Sequence, residues 1–335
     1  MKKLNVSEAA ALLGDGGVVA IPTETVYGLA ADATSDDAVS KIFDAKGRPS
    51  DNPLIVHVGD VSQVDGLVSC VSDGARRLMD AFWPGPLTIV LANPIGISSL
   101  VTAGLDTVGV RQPAHPRALD ILRKVCLPIA APSANLSGKP SPTEARHVVD
   151  DLDGRIDGVV DGGSCDVGLE STVIDMSGAV PVLLRMGSVT RDEIEAVIGE
   201  VVDGTGSGAK ERDVDFAPKA PGMKYAHYAP DAPVYIVDGS PEFLQSTVRS
   251  SRNVSRKVGV LATDKNKHLY EADVVLGAGS RDLYKCLREF DDYGVDVIFC
   301  ECFDDEGLGA VVMNRLFKAS EERVIYEFEV EDSGC

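Results

Sequence analysis

No stretch of the 335-residue sequence is apolar for long enough to cross a membrane. The longest apolar runs, such as 87–92 and 295–300, are of strand length, whereas a spanning helix needs about 20 residues. The first five residues are basic but lead to Glu8 with no sustained apolar region, so no secretory leader is expected. Positive charge is also in short supply. Lys and Arg number 32 against 52 Asp and Glu, a formal net charge of −20. That argues against binding nucleic acid through bulk charge, because such a chain must neutralise phosphates. The acid is unevenly placed, with residues 1–150 at net −3 and residues 151–335 at net −17. The seven cysteines (70, 126, 165, 286, 300, 302 and 335) are scattered, and only 300 and 302 lie close together. This is not a zinc spacing, and reduced thiols in a cytoplasmic protein fit it better than a disulfide framework. None of the five histidines (57, 115, 147, 227 and 268) has metal or triad spacing, and neither G-x-S-x-G nor H-E-x-x-H occurs. His147, between Arg146 and Val148, reads as a helix-surface residue. Catalysis by positioning and neutralising charge is therefore favoured over a protein nucleophile.

What is present is a hydrophobic content of 44 %, enough for a real core, on a length that suits two domains. Strand-length runs at 18–22, 54–58, 87–92, 108–111, 129–131, 158–160, 172–175 and 182–184 are interrupted irregularly by helical patterns. The helices are expected at 35–45, 73–82, 117–125, 143–151 and 190–198. Asp36, Asp37, Asp192 and Glu193 fall in first turns, where carboxylates suit the helix dipole. The pattern predicts a mixed α/β domain over 1–203, not a plain doubly wound sheet. Residues 204–231 lose the apolar period and read as a linker, although its end carries two tyrosines and a histidine that a spacer does not need. From 232 to 335, strands at 234–237, 258–262, 274–276 and 295–300 alternate with helices at 241–250, 281–293 and 308–319. This predicts a small parallel-sheet domain. Its Gly277-Ala-Gly279-Ser280 reads as a short glycine turn or as an anion cradle.

Six loops at strand ends carry the chemistry. In 21–28, Thr23-Glu24-Thr25 offers hydroxyls to a small polar ligand, or else forms a capping turn. In 46–57, Lys46, Arg48 and Asn52 precede a strand ending at His57, and such cations suit a polyphosphate or a solvated loop. In 103–113, strand alternation puts Thr107, Gly109 and Arg111 on one face, making Arg111 a carboxylate clamp if that face is the site. In 130–141, small residues with Ser133, Asn135, Ser137 and Ser141 resemble an anion- or nucleotide-binding loop, though not a Walker loop or a dinucleotide fingerprint. The last two are 168–172, with Glu170 and Ser171, and 184–187, with Arg185. Four cations spread over six such loops point to an anionic substrate.

In order, PTETVYGLAADA (22–33), KGRPSDNPLIVH (46–57), WPGPLTIVL (83–91), TAGLDTVGVR (102–111), APSANLSGKPSPT (131–143), GLESTVID (168–175), LLRMG (183–187) and PGMKYAHYAP (221–230) resemble the YrdC-like threonylcarbamoyl-AMP synthases in their long form. The resemblance covers roughly the whole chain. It implies a twisted mixed sheet with flanking helices at 1–203, a linker acting as a lid at 204–231, and a Rossmann-like domain at 232–335. It implies a nucleotidyltransferase that joins L-threonine, bicarbonate and Mg²⁺-bound ATP into threonylcarbamoyl-AMP and pyrophosphate. A downstream enzyme then passes the threonylcarbamoyl group to an adenosine beside the tRNA anticodon. By resemblance, Lys46, Arg48, Asn52, Thr107, Ser133, Asn135, Ser141, Arg185 and Tyr228 would contact ATP, with Lys46 and Arg48 catalytic. Thr25, His57, Arg111, Ala131 and Ser171 would hold threonine. No structural metal, membrane or strong direct nucleic-acid partner is expected. Met186 and Gln112 depart from the family's usual proline and apolar residue, and Met186 frees a φ angle next to Arg185.

Overall fold

The computed structural model describes residues 1–205, 228–304 and 307–327. Among these, 1–137 and 141–205 form one compact unit, while 138–140 group with 228–304 and 307–327 in a second. Most of the expected linker, 206–227, lies outside the described residues, as does the tail beyond 327.

The first unit is built on one sheet of ten strands: β1 (Val19–Ile21), β2 (Gly28–Asp32), β3 (Ile55–His57), β4 (Leu87–Ala92), β5 (Thr107–Arg111), β6 (Ile129–Ala130), β7 (Gly158–Val159), β8 (Thr172–Asp175), β9 (Val182–Arg185) and β10 (Val202–Asp203). Their order is β10-β9-β8-β4-β5-β3-β6-β2-β1-β7. β5 runs parallel to β3 and antiparallel to β4, and β8 runs parallel to β4 and antiparallel to β9. The sheet is thus mixed. Strand alternation gives it two apolar faces. Ala20, Leu29 and Ala31 join a large cluster with Ile42, Leu78, Ile89 and Val110. Val19, Ile21 and Ala30 join a second cluster with Leu13, Ile121 and Leu122.

Six helices of this unit, α1 (Val6–Gly14), α2 (Asp36–Lys46), α3 (Asp73–Phe82), α5 (Pro116–Val125), α6 (Ala145–Leu152) and α7 (Arg191–Ile198), supply apolar residues to these clusters; the short α4 (Ser99–Thr102) is a single turn. Their ends follow local rules. Ser35 and Ser72 cap α2 and α3, and Asn5 with Glu8 forms a capping box on α1. Helix α2 stops at Gly47, whose φ of 60° is left-handed, so the helix ends with Lys46 in its last turn.

His147 is not on the surface. It lies on the inner side of α6 at 1 % exposure, and its Nδ1 accepts the Thr143 backbone N–H at 3.2 Å. The imidazole thereby satisfies a backbone donor next to the helix start. Gln112, also buried, donates from Nε2 to the Gly59 carbonyl at 2.9 Å. This internal bond accounts for a polar side chain at that position.

The second unit holds five parallel strands, β11 (Val234–Asp238), β12 (Val258–Thr263), β13 (Val274–Ala278), β14 (Val297–Glu301) and β15 (Val324–Tyr326), in the order β13-β12-β14-β11-β15. Helices α8 (Pro241–Arg252), α9 (Leu283–Tyr293) and α10 (Gly307–Ala319) connect them. The backbone N–H and side-chain O–H of Ser240, at the start of α8, donate to the Glu327 carboxylate at 2.6 and 3.0 Å. Gly277 is a residue of β13, where a Cβ would sit 2.4 Å from Asp264 Oδ1. No described helix is long and apolar enough to cross a membrane.

Candidate active site

The loops singled out in the sequence are joined to one another in the first unit. Because Gly47 halts α2, the Lys46 side chain turns into the 130–141 segment. Its Nζ donates to the Ser133 carbonyl and, at 2.7 Å, to the Asn135 carbonyl. The lysine is buried, and its ammonium fixes two carbonyls roughly ninety residues away in sequence. Arg48 Nη2 donates to the Asn52 carbonyl at 3.3 Å, closing its own loop. Backbone bonds tie the 21–28 segment to the same region: Tyr27 N to Pro142 O at 2.8 Å, Leu29 N to Pro132 O at 2.7 Å and Ala134 N to Tyr27 O at 2.8 Å. Ala131 N donates to Ile55 O at 2.9 Å, which attaches this segment to β3.

Arg111 ends β5, opposite His57 of β3. Its guanidinium is buried and makes three bonds: Nε to the Gly85 carbonyl at 3.1 Å, Nη1 to Thr25 Oγ1 at 2.9 Å, and Nη2 to Glu24 Oε1 at 2.6 Å. Both members of the Arg111–Glu24 ion pair are more than nine-tenths buried. Arginine has five N–H donors, so two remain after these three bonds. Thr23 organises the adjacent turn. Its hydroxyl donates to the Val26 carbonyl at 2.6 Å, and its Oγ1 lies 2.8 Å from that of Thr25. The capping-turn and ligand-hydroxyl readings of this loop are therefore compatible.

The 168–172 and 184–187 loops meet as well. Arg185 donates from Nε to the Ser171 carbonyl at 3.0 Å and from Nη2 to Ser171 Oγ at 3.1 Å. Ser171 Oγ in turn lies 2.7 Å from Thr88 Oγ1 of β4. Ser141 donates to Glu170 Oε1 at 2.6 Å, with both residues buried. Gly187 permits this arrangement, because a Cβ there would lie 2.3 Å from the Thr172 backbone nitrogen. Glu24, Thr88 and Glu170 were given no role by the sequence. All three lay within the motifs of the resemblance, but only the fold identifies their partners.

Three buried polar groups in this region have no partner among the described residues: both amide atoms of Asn52, Nδ1 of His57, and Oε2 of Glu24. Native interiors leave few such groups, and each calls for an explanation. Thr107 is buried at the start of β5, where it pairs with Ala92 of β4. Its hydroxyl makes no hydrogen bond among the described residues. Tyr228 belongs to the second unit, where it stacks on Tyr284 at 5.1 Å, with the Arg315 guanidinium 5.8 Å from its ring centre.

Burial, reinforced by the Arg111 charge, pushes the His57 pKa down from 6.5 to about 3. The ring is neutral near pH 7. Unfolded His57 binds a proton near 6.5 and folded His57 only near 3, so its contribution to stability is complete above pH 6.5 and is lost as pH falls towards 3. We expect the urea midpoint to drop between pH 7 and pH 4.5, and to drop less in His57→Phe. Equal slopes for the two proteins would contradict a buried neutral imidazole. Burial also pushes the Cys165 thiol up to about 12, so it is not a thiolate nucleophile.

Comparison with known proteins gives the following. The Sua5_yciO_yrdC family model, described as "Telomere recombination", matches residues 11–187. The Sua5_C model, described as "Threonylcarbamoyl-AMP synthase, C-terminal domain", matches residues 189–321. A threonylcarbamoyl-AMP synthase of Bacillus subtilis is 52 % identical over 330 residues, covering 96 % of this chain and 94 % of the relative. One from Pyrococcus abyssi is 46 % identical over 327 residues, covering 95 % and 94 %. The crystal structure of P. abyssi Sua5 complexed with L-threonine matches with a TM-score of 0.90 at 45 % identity, covering 96 % of each chain.

Proposed function

The chain belongs to the threonylcarbamoyl-AMP synthase family and is an enzyme of that class, and we propose how its residues divide the work on L-threonine, bicarbonate and ATP. The observation that carries the reading is that Lys46, Arg48, Arg111 and Arg185, from three separate loops, bond into the neighbouring loops of one unit, where the Asn52 amide, Glu24 Oε2 and His57 Nδ1 have no partner among the described residues. The binding of L-threonine by the P. abyssi relative supports an amino-acid subsite here. In this reading Arg111 takes the threonine carboxylate on its two remaining N–H groups, with Thr25, His57, Ala131 and Ser171 around the rest of the molecule. Lys46, Arg48, Asn52, Thr107, Ser133, Asn135, Ser141 and Arg185 take the nucleotide. Tyr228, and a lid formed by 204–231, belong to the proposal on the family resemblance alone.

The chemistry needs charge management and no covalent enzyme intermediate. The threonine ammonium and bicarbonate give an N-carboxylate, water and one proton. A carboxylate oxygen then attacks the α-phosphorus of ATP, the bond to the bridging oxygen breaks, and pyrophosphate leaves. Nucleophile and electrophile are both anionic, so fixed cations lower the barrier by holding them together and stabilising the transferring charge. Among the described residues no three His, Cys, Asp or Glu side chains group to hold a metal ion. In our reading Mg²⁺ arrives on the ATP phosphates as part of that substrate, as ATP-using sites commonly arrange. The mixed anhydride is consumed by an enzyme that transfers the threonylcarbamoyl group to an adenosine next to the tRNA anticodon.

Pyrophosphate release is the test. It is expected only when threonine, bicarbonate and ATP are all present. Release with ATP alone, or turnover of carbamoyl phosphate without ATP, would replace this reading with a different one.

A further inference from the structure

Resting on the reaction proposed above, we infer that Thr88 is a positioning residue that commits Ser171 to meet its substrate as a hydrogen-bond donor. Thr88 lies in β4 with no exposed surface, and the sole hydrogen-bond partner of its hydroxyl among the described residues is Ser171 Oγ, at 2.7 Å. Ser171 Oγ also accepts from Arg185 Nη2 at 3.1 Å. Each hydroxyl has one hydrogen and two lone pairs, so the two hydrogens of this pair share a single contact. Were Ser171 the donor, the Thr88 hydrogen would be stranded inside the sheet, a penalty that no ligand relieves. With Thr88 as donor, both lone pairs of Ser171 are filled, by Thr88 and by Arg185. The hydrogen left over is then that of Ser171, which lies in the loop entering β8. A ligand can take it.

A donor at Ser171 suits an oxygen of the amino acid or of its N-carboxylate. Ser171 does not receive the ammonium. The Arg185 bond also ties this donor to a residue that the proposal gives to the nucleotide.

Thr88→Val keeps the shape of the side chain and removes the donor. The dissociation constant for L-threonine, measured by calorimetry on the full chain with a non-hydrolysable ATP analogue, is expected to rise about five- to tenfold. Thr88→Ser should restore it. In a Ser171→Ala background Thr88→Val should have no further effect, because the two substitutions break one interaction. Wild-type affinity in Thr88→Val, or effects that multiply in the double variant, would overturn the inference. A purely structural role would lower the thermal midpoint and leave the affinity of the folded protein unchanged, which also overturns it. Should the valine variant fail to fold, Thr88→Ala enters the same cycle with the same two outcomes. Failure of the proposed function would look different: the wild-type chain would bind no threonine at all.

Discussion

Arg111→Ala is expected to abolish threonine binding and to destabilise the fold by about 3–5 kcal/mol, the usual consequence of removing one partner of a buried ion pair. The size of the effect follows from Glu24. Its Oε1 is held by Arg111 at 2.6 Å and its Oε2 has no partner among the described residues, so loss of the guanidinium leaves an uncompensated buried carboxylate. The two consequences separate in a double variant. Arg111→Met combined with Glu24→Gln removes both charges and should recover most of the stability, since a neutral, well-packed replacement of a buried pair is often tolerated. Threonine binding should stay lost, because the carboxylate clamp is gone. Urea unfolding and calorimetry on both variants check the account. An Arg111→Ala protein as stable as wild type would show that the pair does not hold in solution.

Lys46→Met is expected to lower kcat/KM for pyrophosphate release by about 10²–10³, the scale seen when one preorganised charge-stabilising donor is removed. The loss has two parts. The ammonium would no longer meet the phosphates, and the Ser133 and Asn135 carbonyls that converge on it would no longer be held together. Lys46→Arg should not rescue the activity, because a planar guanidinium cannot occupy the point where two carbonyls meet a compact ammonium. Arg48→Ala gives the contrasting case. Arg48 is half-buried and bonds the backbone of its own loop, so it should lose activity while keeping the wild-type unfolding midpoint. Wild-type turnover in Lys46→Met would remove Lys46 from the catalytic machinery.

Much of the architecture was legible because strand and helix patterns are local. The runs at 87–92 and 172–175 and the helix at 73–82 were placed to the residue, since apolar or amphipathic patterning and clear breakers bound them. Strand β2 was not seen: Gly28–Asp32 has no β-branched or aromatic side chain to mark it. Helix α1 was overlooked although Asn5 and Glu8 carry the spacing of a capping box. The two- and three-residue edge strands β10 and β15 are too short to show any period.

For the site, the residue types were readable but the pairings were not. Lys46, Arg48, Arg111 and Arg185 stood out as cations on small-residue loops. That Arg111 faces Glu24, or Ser171 faces Thr88, depends on contacts more than eighty residues apart in sequence. His147 was misplaced for a different reason: its partner is local, the Thr143 backbone four residues earlier, and becomes apparent only when the helix start is known. The net charge of −20 said little about the reaction. The cations of the proposed site are local and lie mostly in the first 150 residues, where opposite charges nearly balance.

The central claim is that these loops join threonine, bicarbonate and ATP into one mixed anhydride. Incubation of the full-length protein with L-threonine, ATP and ¹³C-bicarbonate, followed by mass spectrometry of the nucleotide fraction, tests it most directly. The account predicts threonylcarbamoyl-AMP one mass unit heavier than with unlabelled bicarbonate, formed together with pyrophosphate. An adenylate without the label, or threonine-independent hydrolysis of ATP, would contradict it.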